Sequence, residues 1–162
     1  MKKGNMQMGK NFIIAQSGGP TSVINASLAG AIKRAMESSE IGTIYGSLHG
    51  LEGILKSRII KLAGAFSSDA DFECLKRTPS TALGTCRFKL SKEPDENYEA
   101  IAQKLRDLDI GYFLYIGGND SMDTVDKLSK YFEDSGMDIK CVGIPKTIDN
   151  DLVETDHTPG FG

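Results

Sequence analysis

The sequence has no tryptophan, five prolines and only three cysteines in 162 residues. Cys74, Cys86 and Cys141 are widely spaced, odd in number and outside any Cys-x-x-Cys pair, which argues against a disulfide framework and a cysteine-rich zinc site. Free thiols in a reducing compartment remain, and a cytoplasmic location is the expectation. Long apolar runs are also lacking: those at 12–15 and 112–116 fall far below the roughly 18 residues that span a bilayer. Lys2 and Lys3 precede Gly4, Asn5 and Gln7 rather than an apolar segment, so no secretory leader is expected. Neither charge is in large excess, since 19 basic and 22 acidic side chains leave a net −3. Nucleic-acid binders concentrate a basic surplus, so neither nucleic acid nor membrane is an expected partner.

An apolar content of 40% with 25% charged residues is that of a globular chain, and the length suits one domain. Residues 1–10 are polar and read as a flexible amino terminus; 11–162 read as one α/β domain. Glycine is plentiful at 18 residues, and its placement follows a pattern. The run at 12–15 has the character of a buried strand and ends at Ser17-Gly18-Gly19-Pro20. Val23, Ile24, Leu28, Ala31, Ile32 and Ala35 then recur at helical spacing, with Pro20 suited to the first helical position. A short strand at 43–45, a helical turn at 51–55, a short helix at 67–77 and a loop at 78–90 follow. Tyr98, Ile101, Ala102, Leu105 and Leu108 mark an amphipathic helix. A second strand, 112–116, runs into Gly117-Gly118-Asn119-Asp120-Ser121 and a helix carrying Met122, Val125, Leu128 and Phe132. A third strand, 139–144, runs into Pro145-Lys146-Thr147-Ile148-Asp149-Asn150-Asp151. Strands alternating with helices predict βαβ units and a mostly parallel, three-layer Rossmann-like sheet.

Ligands of such sheets bind outside the carboxyl ends of the strands, and three strand ends here carry unusual chemistry. Gly18 and Gly19 put no side chain between the backbone and a ligand, and the helix that follows offers free N–H groups to an anion. The same glycines would also suit close strand–helix packing. Neither the Walker pattern nor Gly-x-Gly-x-x-Gly is present. At the second end, Asn119 and Asp120 have oxygens suited to a hard cation, and Ser121 can cap the helix; all three are equally common as plain caps. The third end is the most specific. Lys146 can neutralise a transferring phosphoryl group, one aspartate can accept the proton of an attacking hydroxyl, and another can help to hold Mg²⁺. His49 and His157 have no partner at metal-ligand spacing and read as solvated or structural.

Ser17-Gly18-Gly19, the segment from Gly84 to Phe88, the Gly117 to Ser121 turn and Pro145-Lys146-Thr147-Ile148-Asp149-Asn150-Asp151 resemble, in order and spacing, the successive signatures of the phosphofructokinase family. The resemblance implies phosphoryl transfer to the 1-hydroxyl of fructose 6-phosphate, giving fructose 1,6-bisphosphate in glycolysis. It implies Asp149, Lys146 and Asp120 as the catalytic set, with Asp149 the base. Gly18, Gly19, Arg87, Phe88, Gly118 and Ser121 would face the phosphoryl donor, and Thr147, Ile148 and Asp149 the sugar. Asn119 and Asp151 would hold Mg²⁺; the family has aspartate in place of Asn119, whose amide oxygen brings less charge.

The donor is implied by two positions. ATP-dependent members usually have glycine at Asp120 and at Lys146, whereas pyrophosphate-dependent members resemble this sequence at both. A carboxylate about 4 Å from a nucleotide phosphate costs ~4 kcal/mol at an effective dielectric of ~20, nearly a thousandfold in affinity. Pyrophosphate is therefore the expected donor; an ATP-dependent kinase and a non-catalytic phosphate-binding module are the alternatives. The family's Met-Gly-Arg motif, which holds the sugar phosphate, is absent. The resemblance thus implies the amino-terminal portion of a longer, homo-oligomeric enzyme, inactive by itself.

Overall fold

β1 (Lys10–Gln16) occupies the centre of a five-stranded sheet and is hydrogen-bonded in parallel to β2 (Ile41–Ser47) on one side and β4 (Ile110–Gly117) on the other. β5 (Lys140–Pro145) continues the sheet in parallel beyond β4, and the short β3 (Ile59–Lys61) closes the opposite edge antiparallel to β2, giving the order β3-β2-β1-β4-β5. The computed structural model describes residues 9–161. Most of the amino-terminal segment read as flexible, 1–8, lies outside the described residues, as does Gly162, while Lys10 already belongs to β1.

Helices cover both faces, as the alternation of strands and helices predicts. Phe12 and Ile14 of β1 turn into a core shared with α1 (Ser22–Met36) and α3 (Asp69–Arg77), through Ile24, Leu28, Ile32 and Phe72. Ile13 and Ala15 enter the other core, with α2 (Gly50–Leu55), α4 (Glu96–Asp107) and α5 (Asn119–Asp134), through Leu51, Ile101, Leu105, Leu128 and Phe132. Because both faces are covered, β1 is apolar at successive positions from Phe12 to Ala15 instead of alternating with polar residues. The amphipathic segment around Tyr98 is α4, begun by Asp95, whose side chain accepts from the Asn97 N–H at 3.0 Å.

Four details depart from the sequence reading. β3 and a 3-10 turn at Ala63–Ala65 fall between the helical turn at 51–55 and the helix at 67–77, where the sequence reading has no element; three residues are too few for a periodic signal. β2 is longer than 43–45, running Ile41–Ser47. Pro20 is not the first helical residue, because Thr21 is the N-cap and α1 opens at Ser22. Asn119, Asp120 and Ser121 form no separate turn but the first residues of α5, whose N-cap is Gly118; Ser121 therefore does not cap the helix.

The register decides where the site lies. Gln16 pairs with Ile116, and Ile116 with Ile144, so β1, β4 and β5 end in one row. The segments that leave them start side by side at the same edge of the sheet.

Candidate functional site

Strand order reverses between β1 and β4, since β1 leads to β2 on one side and β4 to β5 on the other. Ligands of doubly wound sheets bind in the crevice at this reversal. The three strand ends are tied together there by short hydrogen bonds. The Ser17 N–H donates to Ile116 O at 2.8 Å, the Lys146 N–H to Gly117 O at 2.9 Å, and the Lys146 ammonium to Gly19 O at 2.6 Å. Gly18 has φ +78°, a left-handed conformation that disfavours any side chain, and a Cβ there would lie 3.6 Å from Gly118 N and 3.7 Å from Lys146 Nζ. Gly19 has open space around it, so Gly18 is the position where glycine is structurally required. Burial of Lys146 holds its pKa below the ordinary lysine value.

A fourth wall comes from the loop that follows α3. Thr85 donates its hydroxyl to Gly18 O at 2.9 Å, Lys89 pairs with Asp120 at 2.7 Å, and the Lys127 ammonium reaches Leu90 O at 3.4 Å. Between these anchors, the exposed Arg87 and half-buried Phe88 line a cavity of about 880 Å³ together with Ser17, Gly18, Gly19, Gly118, Asn119, Asp120 and Ser121. The structure thus gathers the expected donor-binding residues around one hollow. Lys146 joins them through Gly19. Thr147, Ile148, Asp149 and Asp151 lie on the adjoining loop and are not part of the cavity's lining.

That loop is braced by residues the sequence reading passed over. The buried Thr158 donates its N–H to Asn150 Oδ1 at 2.9 Å and its hydroxyl to Thr147 O at 3.2 Å, and the Thr147 N–H donates to Pro159 O at 2.8 Å. Asn150 itself takes a left-handed backbone, φ 52°. The Thr147 hydroxyl accepts from the Asp149 N–H at 3.1 Å and donates to Asp151 Oδ1 at 2.9 Å. Ile148 and Asp149 are exposed.

Sequence reasoning also missed the support of the 78–83 segment leading into the fourth wall. Gln16 and Asn25 are fully buried side by side. Asn25 donates to Thr78 O and Ser80 O at 2.8 and 3.1 Å, Ala82 N–H donates to Asn25 Oδ1 at 3.0 Å, and Leu83 N–H donates to Gln16 Oε1 at 2.8 Å. A usable signal was present, because Asn25 is a polar residue on the apolar stripe of α1. His49 has a structural place: its backbone N–H donates to Leu83 O at 2.8 Å, and a Cβ on Gly84 would come within 2.5 Å of its ring. Burial pushes the Cys141 thiol up to about 12, which makes it a poor nucleophile.

Among the described residues no three His, Cys, Asp or Glu side chains form a group able to hold a metal. Asn119, Asp149 and Asp151 are hard oxygen donors, and Asp151 uses one oxygen on Thr147. Asn119 lines the cavity and the two aspartates lie on the adjoining loop; oxygens of this type are those that Mg²⁺ carried in by phosphate takes, one or two from protein and the rest from phosphate and water.

The chain is 45% identical over 156 residues to the pyrophosphate–fructose 6-phosphate 1-phosphotransferase of Methylococcus capsulatus, covering 94% of this chain and 37% of that protein. It is 32% identical over 152 residues to an ATP-dependent 6-phosphofructokinase of Actinobacillus pleuropneumoniae, covering 94% of this chain and 43% of that one. A crystal structure of pyrophosphate-dependent phosphofructokinase from Nitrosospira multiformis superposes with a TM-score of 0.84 at 44% identity, over 93% of this chain and 37% of that chain. The chain therefore spans well under half the length of these relatives. With the phosphofructokinase family model matching residues 11–162, the chain belongs to the phosphofructokinase family.

Proposed function

We propose that the chain is the phosphoryl-donor portion of a pyrophosphate-dependent 6-phosphofructokinase. The carrying observation is Lys146, whose ammonium lies on the Gly18-Gly19 turn while Asp120 stands in the wall of the same cavity. A half-buried cation beside glycine turns offers a compact charge to a small polyanion, and a carboxylate in the wall disfavours a nucleotide's longer phosphate chain.

In the proposed reaction the donor lies against the backbone at Gly18, Gly19 and Gly118, with Arg87, Phe88 and Ser121 completing its surroundings. Thr147, Ile148 and Asp149 face fructose 6-phosphate. Asp149 takes the proton of the sugar's 1-hydroxyl as that oxygen bonds to the near phosphorus of pyrophosphate. The P–O bond to the far phosphate breaks, releasing fructose 1,6-bisphosphate and phosphate, and Lys146 neutralises charge on the transferring group. Asp151 and Asn119 would hold Mg²⁺, which would supply further charge neutralisation on the donor. The sugar-phosphate clamp belongs to the remainder of a homo-oligomeric cytoplasmic enzyme, so this segment alone is inactive.

Turnover of fructose 6-phosphate by the complete enzyme, with pyrophosphate and ATP compared at equal concentration, tests the reading. Product from pyrophosphate and little from ATP is expected. A preference for ATP would replace the donor assignment, and robust turnover by residues 1–162 alone would overturn the division of labour.

A further inference from the structure

We infer that Lys89 is a donor-specificity residue, acting through Asp120 as the second half of one charged bar across the cavity. The inference rests on the donor reading above and adds a residue to it. Lys89 Nζ lies 2.7 Å from Asp120 Oδ2, and both side chains line the cavity from opposite walls, the 84–90 loop and the first turn of α5. No other ion pair among the described residues includes a residue of the cavity lining. The two side chains are 69% and 72% exposed, and an ion pair so exposed adds little to folding stability. Its effect falls on what enters the cavity.

Asp120 alone would repel every phosphate, including the small donor that the glycine turns and Lys146 attract. Paired with Lys89, its charge is offset at short range while its bulk and position remain. The bar therefore tolerates a diphosphate seated on the Gly18 side. A nucleotide whose chain extends toward α5 must first separate the two charges, and then meets Asp120 uncompensated. On this account selectivity belongs to the pair, and Lys89 is a positioning residue for Asp120. The loop is independently held by Thr85 on Gly18 O and by Lys127 on Leu90 O, so loss of the Lys89 charge changes the field in the cavity and leaves the wall in place.

The test is a set of variants of the complete enzyme, assayed for KM of pyrophosphate and of fructose 6-phosphate, with melting temperature as a check on folding. Lys89→Met is expected to raise KM for pyrophosphate roughly tenfold, the scale of one like charge about 7 Å away at an effective dielectric of ~35, while KM for the sugar stays put. Lys89→Arg, which keeps the pair, is expected within about threefold of wild type. Lys89→Met combined with Asp120→Asn is expected to return KM for pyrophosphate most of the way to wild type, because nothing then needs offsetting; kcat is not the readout, since the resemblance implies Asp120 in the catalytic set. An unchanged KM in Lys89→Met overturns the inference. So does a double variant at least as impaired as Lys89→Met, since Lys89 would then contact the donor directly. Wild-type enzyme without pyrophosphate turnover overturns the donor reading, and this inference with it; active wild type with an indifferent Lys89→Met overturns the inference alone.

Discussion

The side-chain amide of Gln16, at the end of the central strand, donates to Asn25 Oδ1 at 2.9 Å inside the protein, and from this pair hangs the loop that brings Arg87 to the cavity. The two amides satisfy each other and four backbone groups of residues 78–83. A segment without helix or strand is thereby fixed from within.

Asn25→Leu removes the partners of Thr78 O, Ser80 O and Ala82 N–H together. The hydrogen bonds lost at this partly exposed segment are worth about 0.5–1.5 kcal/mol each, and the fully buried Gln16 amide also loses its Asn25 acceptor, so a loss of about 2–4 kcal/mol is expected. Urea unfolding measures it, and amide exchange should quicken first at 78–83. An unchanged midpoint would show that the loop finds its order elsewhere.

Gly18→Ala places a methyl on a left-handed residue, at a strain of about 1 kcal/mol, and directs it at Gly118 N and Lys146 Nζ. The fold should survive with a slightly lower melting temperature. Pyrophosphate affinity, read by calorimetry on the complete enzyme, should fall tenfold or more, about 1.4 kcal/mol or greater.

Lys146 gives the site an alkaline limit. Its folded pKa is lowered from 10.5 by burial, so the ammonium proposed to attract the donor is lost at a pH below that of an ordinary lysine. kcat/KM for pyrophosphate should decline along a limb centred below 10.5, and Lys146→Met should lower the plateau and abolish that limb. For stability the sign is opposite. The unfolded chain holds this proton more tightly, so the penalty for burying the charge is relieved as pH rises through the folded pKa toward 10.5.

Asp149→Asn keeps the shape of the 145–151 loop, which is held by the Thr147 and Asn150 hydrogen bonds. Turnover should drop by about 10²–10⁴-fold, the usual contribution of a positioned base, with pyrophosphate affinity nearly unmoved. Retained turnover would move the base to another residue.

Much of this was legible in the chain itself, because glycine turns after apolar runs report strand ends directly. The row formed by Gln16, Ile116 and Ile144 follows once those runs are parallel neighbours. Lys89 and Asp120 are separated in sequence by a helix and a strand, and only the fold shows them as partners. β3 was illegible because it is a three-residue edge strand defined by its pairing with Tyr45, Gly46 and Ser47. Thr158 and Gln16 were overlooked for a related reason: a polar residue buried by its hydrogen bonds has no periodic signature.

The pairing of Asn11 with Ile110 also orders events in time. β1 cannot complete its second ladder until the chain has been made through β4, and the Lys146 bond to Gly19 must wait for the end of β5. Contacts so distant in sequence form late and slowly. On the ribosome, therefore, the first glycine turn emerges early, yet the junction of the three strand ends closes only when the last of them has left the exit tunnel.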